Sequence, residues 1–331
     1  MVAARTALPR ATTFTGLRPM DVARDLAGVA DVLAESFRGE MDTVGERAVR
    51  EMRMMSWLGP LAWWFDLFMP LSEGFSPGYV WVEQGRVVGN ATVRRAPASG
   101  WGFVFGNVAV LPEYRGRGIA RRLMEACLDK ARSDNGQWAA LEVREDNAPA
   151  YHLYMSLGFK QTGAIAQLRR EAIGPIVDKA GLPFGARVRK PRVSEESQVL
   201  ALAHAATPEG LRWAEPLRES DFVFGWERRL DLWLAGRRES WWVVESNGRL
   251  VGAAEAETYH NPSEEGRLRM WVTGSSDCHN ILLDAALSAR EAASRPMLVA
   301  HPAADVEALR AFERYGFRPV RTLAHMKLNL R

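Results

Sequence analysis

The chain has 331 residues, 47% of them hydrophobic and 25% charged, a globular composition long enough for two domains of ordinary size. A formal charge of +3, from 43 basic and 40 acidic residues, is a weak field over this length and argues against a nucleic-acid partner despite a pI near 9.0. Two cysteines, Cys127 and Cys278, supply neither a disulfide framework nor a metal set, and no apolar run reaches the ~18 to 20 residues that span a membrane. The expectation is a cytoplasmic protein with no metal and no membrane partner.

Residues 1–16 carry arginines without an apolar stretch behind them and read as a flexible tail. Leu17 to Pro19 predicts a short strand, and Asp21 caps a predicted helix to about Phe37 with Val22, Leu26, Val29, Val32 and Leu33 on one stripe. A second helical region, Glu46 to Phe68, is interrupted at Gly59-Pro60 and concentrates Met52, Met54, Met55, Trp57, Trp63, Trp64, Phe65 and Phe68. Such large aromatics mostly bury; an apolar acceptor pocket is the other reading, with Trp101 and Phe103 as further lining. Tyr79 to Glu83 and Val87 to Arg94 around Gln84-Gly85 predict a hairpin, and Phe103 to Leu111 an apolar strand. Ile119 to Arg132 predicts a helix, Ala139 to Arg144 a strand, and Pro149 to Leu157 a helix stopped by Gly158.

Turn formers crowd residues 173–185, which read as a linker between a domain at 17–172 and a second at 186–331. The second half predicts a strand near Arg187 to Val193, helices at Glu195 to Ala205 and Phe222 to Leu234, and a hairpin about Asn247-Gly248. A strand at Leu268 to Val272, a helix at Asn280 to Ser294, a strand at Met297 to Ala300 and a helix at Asp305 to Tyr315 follow. This order repeats the first half, and Leu157-Gly158-Phe159 is answered by Tyr315-Gly316-Phe317 at an offset of 158, which reads as a duplication. The fold class is α/β, a mixed sheet flanked by helices, built twice in tandem.

Two clusters carry chemistry. Tyr114-Arg115-Gly116-Arg117-Gly118 follows a strand and opens a helix, where unpaired backbone N–H groups and the helix dipole attract phosphate; a plain strand-to-helix turn uses glycine too. In Leu141-Glu142-Val143-Arg144, alternation turns Glu142 and Arg144 away from the face of Leu141 and Val143. Glu142 is then either a proton acceptor or half of an ion pair with Arg144; Asn147 is by default a helix N-cap, and Tyr154 by default a core tyrosine. His152, two positions from Tyr154, reads as surface.

The order Val110 to Ala120, Leu141 to Arg144, Asn147, Leu153-Tyr154 and Gly158-Phe159 resembles the GNAT superfamily of N-acetyltransferases, and within it ribosomal-protein N-terminal acetyltransferases. The resemblance implies acetyl-CoA as cosubstrate, its pyrophosphate cradled by Arg115, Gly116, Arg117, Gly118, Ile119 and Ala120, and its pantetheine arm on the backbone of Val108, Ala109 and Val110. It implies Glu142 as general base, Tyr154 as donor to the leaving thiolate, and Asn147 in the cofactor site. The implied acceptor is a primary amine of a small molecule or a peptide N-terminus; a longer acyl-CoA or a CoA-binding regulatory module are the alternatives. At the 158 offset Ala300, Asp305 and Phe312 stand where Glu142, Asn147 and Tyr154 stand, and Thr273-Gly274-Ser275-Ser276-Asp277 replaces the glycine loop, with Ser276 or Asp277 as an ordinary cap. The second half is therefore expected to keep the scaffold without a cofactor site.

Overall fold

A computed structural model describes residues 14–39, 43–57, 78–96, 101–172, 186–214, 216–261, 263–275 and 277–331. Most of the tail at 1–16, the break at Gly59-Pro60, the aromatics Trp63, Trp64, Phe65 and Phe68, Ser276, and the linker at 173–185 lie outside these residues, as does the side chain of Trp57. The chain forms two compact units, residues 1–141 with 327–331, and residues 142–326.

In the first unit β1 (Gly16–Pro19), β2 (Gly78–Glu83), β3 (Arg86–Arg95) and β4 (Gly102–Val110) pair antiparallel in that order. The β2–β3 turn places Gln84 and Gly85 at φ of 47° and 84°, the left-handed pair that a tight hairpin between twisted strands requires. Helix α1 (Val22–Ser36) buries Leu26, Val29, Val32 and Leu33, the predicted stripe, and Asp21 Oδ1 accepts from the Ala23 N–H at 3.1 Å. Its Asp25 is buried because Arg18 clamps both carboxylate oxygens at 2.5 and 2.6 Å. Helix α2 (Thr43–Trp57) follows. Helix α3 (Ile119–Ser133) then carries the chain to β5 (Trp138–Arg144), which pairs parallel with β4 over Gly102–Phe105 and Trp138–Leu141.

Beyond that ladder β4 bulges. Asn107 sits at φ 52°, the β3–β4 register shifts between Asn90 and Thr92, and the side chains of Asn90 and Thr92 donate to the carbonyls of Asn107 and Gly106 at 2.8 and 2.9 Å. The bulge bends β4, so Val108–Val110 lies past the end of the parallel ladder rather than within it.

The second unit begins inside β5 at Glu142 and passes through α4 (Ala148–Ser156) to β6 (Lys160–Arg170). It continues through β7 (Ala186–Arg189), α5 (Glu196–Ala206), α6 (Trp226–Leu234), β8 (Arg237–Ser246), β9 (Arg249–Tyr259) and β10 (Gly266–Val272). Helices α7 (Asp277–Leu287) and α8 (Arg290–Ala293), β11 (Met297–Pro302), α9 (Val306–Arg314) and β12 (Arg318–Asn329) complete it. The strand order here is β12-β6-β11-β10-β9-β8-β7, with β10 and β11 parallel and the other described pairs antiparallel. One core packs α7, α9 and Phe317 on Leu268, Met270 and Val299; on a second, Trp241 and Trp271 stack at 5.9 Å and 10° with Phe222 tilted against both.

The duplication is visible in the local geometry. Gly158 and Gly316 both stop a helix at positive φ, 92° and 86°, with the Phe159 N–H donating to Tyr154 and the Phe317 N–H to Phe312 at 3.1 and 3.0 Å. Asn147 and Asp305 both cap, accepting from Ala150 and Ala308 at 3.3 and 3.0 Å.

Two features depart from the predicted elements. The helix expected over residues 280–294 is two, α7 and α8, and the strands β6 and β12 were not foreseen. Each of those strands follows a Gly-Phe helix stop, and each pairs across the duplication. β6 closes the first half in sequence yet pairs with β11, Leu168 opposite Val299. β12 closes the second half yet runs antiparallel to β5: the Glu145 N–H donates to Thr322 at 3.0 Å, and the Leu330 N–H to Gln137 at 2.9 Å.

Phe317 is fully buried at the junction of α7 and α9. Phe317→Ala removes a ring and leaves a cavity, and denaturant unfolding is expected to show a loss of about 3–5 kcal/mol.

Candidate active site

In the first unit the loop is shaped by two glycines. Gly116 and Gly118 both lie at φ 76°, and a Cβ built at either would meet nothing within 4 Å. Conformation, not crowding, demands glycine here, and the space above the backbone is open. Gly118 is the N-cap of α3 and, lacking a side chain, supplies no cap bond, so the first amides of the helix face outward with the positive end of the helix dipole. The arginines are partly engaged: Arg115 Nε donates to the Val110 carbonyl at 3.0 Å, tying the loop to the end of β4, and Arg117 donates to the Glu113 carbonyl at 3.1 Å while lying 4.9 Å over the Tyr114 ring. Val108, Ala109, Val110, the loop, Ile119 and Ala120 thus come together within one unit, an arrangement able to hold phosphate oxygens.

The second half treats the same point in the opposite way. A Cβ on Gly274 would sit 3.0 Å from Val251 Cβ, so the backbone is packed against β9, and Asp277 puts a carboxylate in the first turn of α7. The open space and uncharged start found at Gly116 and Gly118 are thus not repeated at Gly274 and Asp277.

In the second unit β5 holds Glu142 outward between buried Leu141 and Val143. The Arg144 guanidinium donates to Asp146, with Nε at 2.8 Å from the carboxylate. Tyr154 is 5% exposed, with its ring edge-on to Phe159 at 6.2 Å, and His152 is exposed as expected. Phe312 repeats the Tyr154 packing, its ring 5.4 Å from Phe317. Phe103 is buried under Arg95, whereas Trp101 is largely exposed. Cys127 offers no nucleophile: burial pushes its thiol up to about 12.

One residue that motif reading missed stands beside Glu142. His325, on β12, has its Nδ1 3.9 Å from Glu142 Oε1, is 1% exposed, and has Trp213 tilted against its ring at 5.3 Å. Neither ring nitrogen has a hydrogen-bond partner among the described residues, and burial pushes its pKa down to about 4. Only the β5–β12 pairing brings it here, and no local pattern announces that pairing.

With this geometry in hand, comparison with known proteins is decisive for the first half. Residues 41–159 match the acetyltransferase (GNAT) family. The first half of the chain carries a GNAT acetyltransferase domain. Over 56 residues it is 50% identical to the N-alpha-acetyltransferase RimI of Mycobacterium tuberculosis, covering 17% of this chain and 34% of that protein. Over 151 residues the chain is 34% identical to the mycothiol acetyltransferase of Frankia alni, covering 44% of this chain and 42% of that protein. These matches span about a third to two fifths of the curated relatives' length. In fold the chain is similar to a GCN5-related N-acetyltransferase from Sphaerobacter thermophilus, which superposes with a TM-score of 0.61 at 15% identity, covering 95% of each chain. A tandem GNAT protein from the clavulanic acid biosynthesis pathway superposes with 0.58 at 16% identity, covering 95% of this chain and 98% of that one. Among the described residues no helix is long and apolar enough to cross a membrane, and no cluster of three or more His, Cys, Asp or Glu is arranged to hold a metal.

His325 gives a pH signature. An unfolded histidine titrates near ~6.5 and the folded one at about 4, so between these values the unfolded chain binds a proton that the folded chain refuses. Stability contributed by this residue is therefore lost as pH falls through that window, by up to about 3 kcal/mol. Urea unfolding at several pH values should show that fall, and His325→Gln should flatten it.

Proposed function

We propose that this protein transfers an acetyl group from acetyl-CoA to the primary amine of a small molecule or of a peptide N-terminus, by direct attack and without a covalent enzyme intermediate. The observation that carries this reading is the uncapped start of α3 with open space over Gly116 and Gly118, a cradle fitted to a pyrophosphate. Arg115, Gly116, Arg117, Gly118, Ile119 and Ala120 would hold the phosphates, the backbone of Val108–Val110 the pantetheine arm, and Asn147 would complete the cofactor site. When bound, acetyl-CoA supplies an activated thioester carbonyl.

The rest is the work of the chain's own groups. An amine at neutral pH is an ammonium and must lose a proton before its lone pair can form the new C–N bond; Glu142 accepts that proton. The C–S bond would then break with its electron pair leaving on sulfur; the Tyr154 hydroxyl would donate a proton to that sulfur and be made good by the second proton lost from the nitrogen as it becomes an amide. Each step of this kind is worth about 10² to 10⁴ in rate. That Phe312 packs in the second half as Tyr154 does in the first supports a use for the hydroxyl other than packing.

The similarity of the chain to both an N-alpha-acetyltransferase and a mycothiol acetyltransferase favours an amine acceptor without choosing its size. Thiol release from acetyl-CoA, followed across a panel of aminosugars, small amines and peptides with free N-termini, is expected to reveal turnover with at least one acceptor class. Glu142→Gln should lower kcat by about 10² to 10⁴ and Tyr154→Phe by a smaller factor. Undiminished turnover in Tyr154→Phe would remove Tyr154 from the reaction, and faster turnover with a longer acyl-CoA would reassign the donor.

A further inference from the structure

The end of the second half stands beside the proposed base. The two hydrogen bonds that fix the β5–β12 register, Glu145 to Thr322 and Leu330 to Gln137, set Glu142 directly opposite His325. Residues so paired share one face of the sheet, with side chains within reach of each other. The observed separation, 3.9 Å from Nδ1 to Oε1, is about 1 Å beyond a hydrogen bond. The Glu142 side chain is 44% exposed and that of His325 1%, so the approach that closes the gap falls to the carboxylate.

His325 is held by its surroundings. Its ring lies under Trp213, which belongs to the segment after Gly210, and that segment is pressed onto β6: the Thr162 hydroxyl lies 2.9 Å from the Gly210 carbonyl and 3.3 Å from that of His325. A Cβ on Gly210 would come 2.2 Å from the Thr162 carbonyl oxygen, so this approach admits no side chain. The imidazole is thus packed in place and buried, and burial favours its neutral form. Burying two ring nitrogens with no partner among the described residues is costly, and a buried polar group kept at such cost calls for a purpose. A neutral imidazole carries one N–H, and with a carboxylate opposite Nδ1 the proton sits best on Nδ1.

We propose that His325 is a positioning residue for Glu142: its Nδ1–H donates to Oε1 once the acceptor amine is seated, leaving Oε2 aimed at the amine proton. A base that must take a proton from an ammonium gains from having one oxygen pinned and the other aimed, and such bonds are commonly long before substrate binds and tighten with it. Being neutral, His325 fixes the carboxylate without competing for its role as proton acceptor, as a lysine or arginine would by holding it in a tight ion pair. The second half then contributes a group to the reaction and is more than a retained scaffold. This inference rests on the reading of Glu142 as base.

The test is a set of variants assayed with saturating acetyl-CoA and the best acceptor from the panel. Loss of the donor in His325→Phe or His325→Met should lower kcat about 10- to 100-fold, the range for a hydrogen bond to a charged group, with the KM for acetyl-CoA unchanged. His325→Gln, which keeps an N–H at similar reach, should recover most of the loss. The deciding measurement is the double-mutant cycle: in a Glu142→Gln background, His325→Phe should cost less than twofold further, because there is no carboxylate left to position. Full additivity in that cycle, or equal losses in the Gln and Phe variants, would overturn the proposal and leave His325 a packing residue. Should His325→Phe fail to fold, His325→Met and His325→Gln carry the same comparison. If Glu142→Gln is itself fully active, the base assignment has failed, an outcome distinct from the failure of the positioning role.

Discussion

A strand inside a sheet must find hydrogen-bond partners along both edges, and here the strands that close the two halves find theirs across the duplication. β6 ends the first half and pairs with β11; β12 ends the second half and pairs with β5. Each half's last strand thus lies between strands of the other half, in the order β5-β12-β6-β11. Main-chain bonds hold the exchange, joined by side-chain bonds such as Arg321 Nε to Gln167 Oε1 at 2.6 Å and Arg170 Nε to the Tyr315 carbonyl at 3.0 Å. It also fixes what lies opposite the outward side chains of β5, which are those available for chemistry.

The halves have diverged in a way that separates packing from chemistry. Positions that shape the backbone keep their geometry: the caps Asn147 and Asp305, the left-handed stops Gly158 and Gly316, and the ring pairs Tyr154–Phe159 and Phe312–Phe317. Positions suited to chemistry do not. The open glycines of the first half face a crowded Gly274 in the second, and Ala300 and Phe312 stand at the places of Glu142 and Tyr154. Even the retained cap has been turned to structure: burial would raise the Asp305 carboxyl, but His279, His301 at 3.0 Å and the Ala308 N–H together hold it well below the ordinary range.

Much of this was legible in the sequence because it is local. Gln84-Gly85 and Asn247-Gly248 name tight turns, the stripe of α1 follows from spacing, and the outward aim of Glu142 follows from alternation in a seven-residue strand. What was not legible is non-local. β6 and β12 are polar strands with no turn signal shared with their partners, and nothing in Ala324-His325-Met326 announces a meeting with Glu142 far back along the chain. The same holds for Trp213 over His325 and for the bulge at Asn107, whose cause is two side chains on the neighbouring strand. Motifs report residues that act through their neighbours in sequence, whereas pairing across a duplication leaves no such mark.

We propose that a fold built twice here carries one cofactor site, in its first half. Titration calorimetry of the full chain with coenzyme A measures this directly. One molecule bound per chain, with binding lost when Gly118→Val fills the cradle over α3, is the predicted result. Two molecules per chain, or one whose binding survives that substitution, would contradict it.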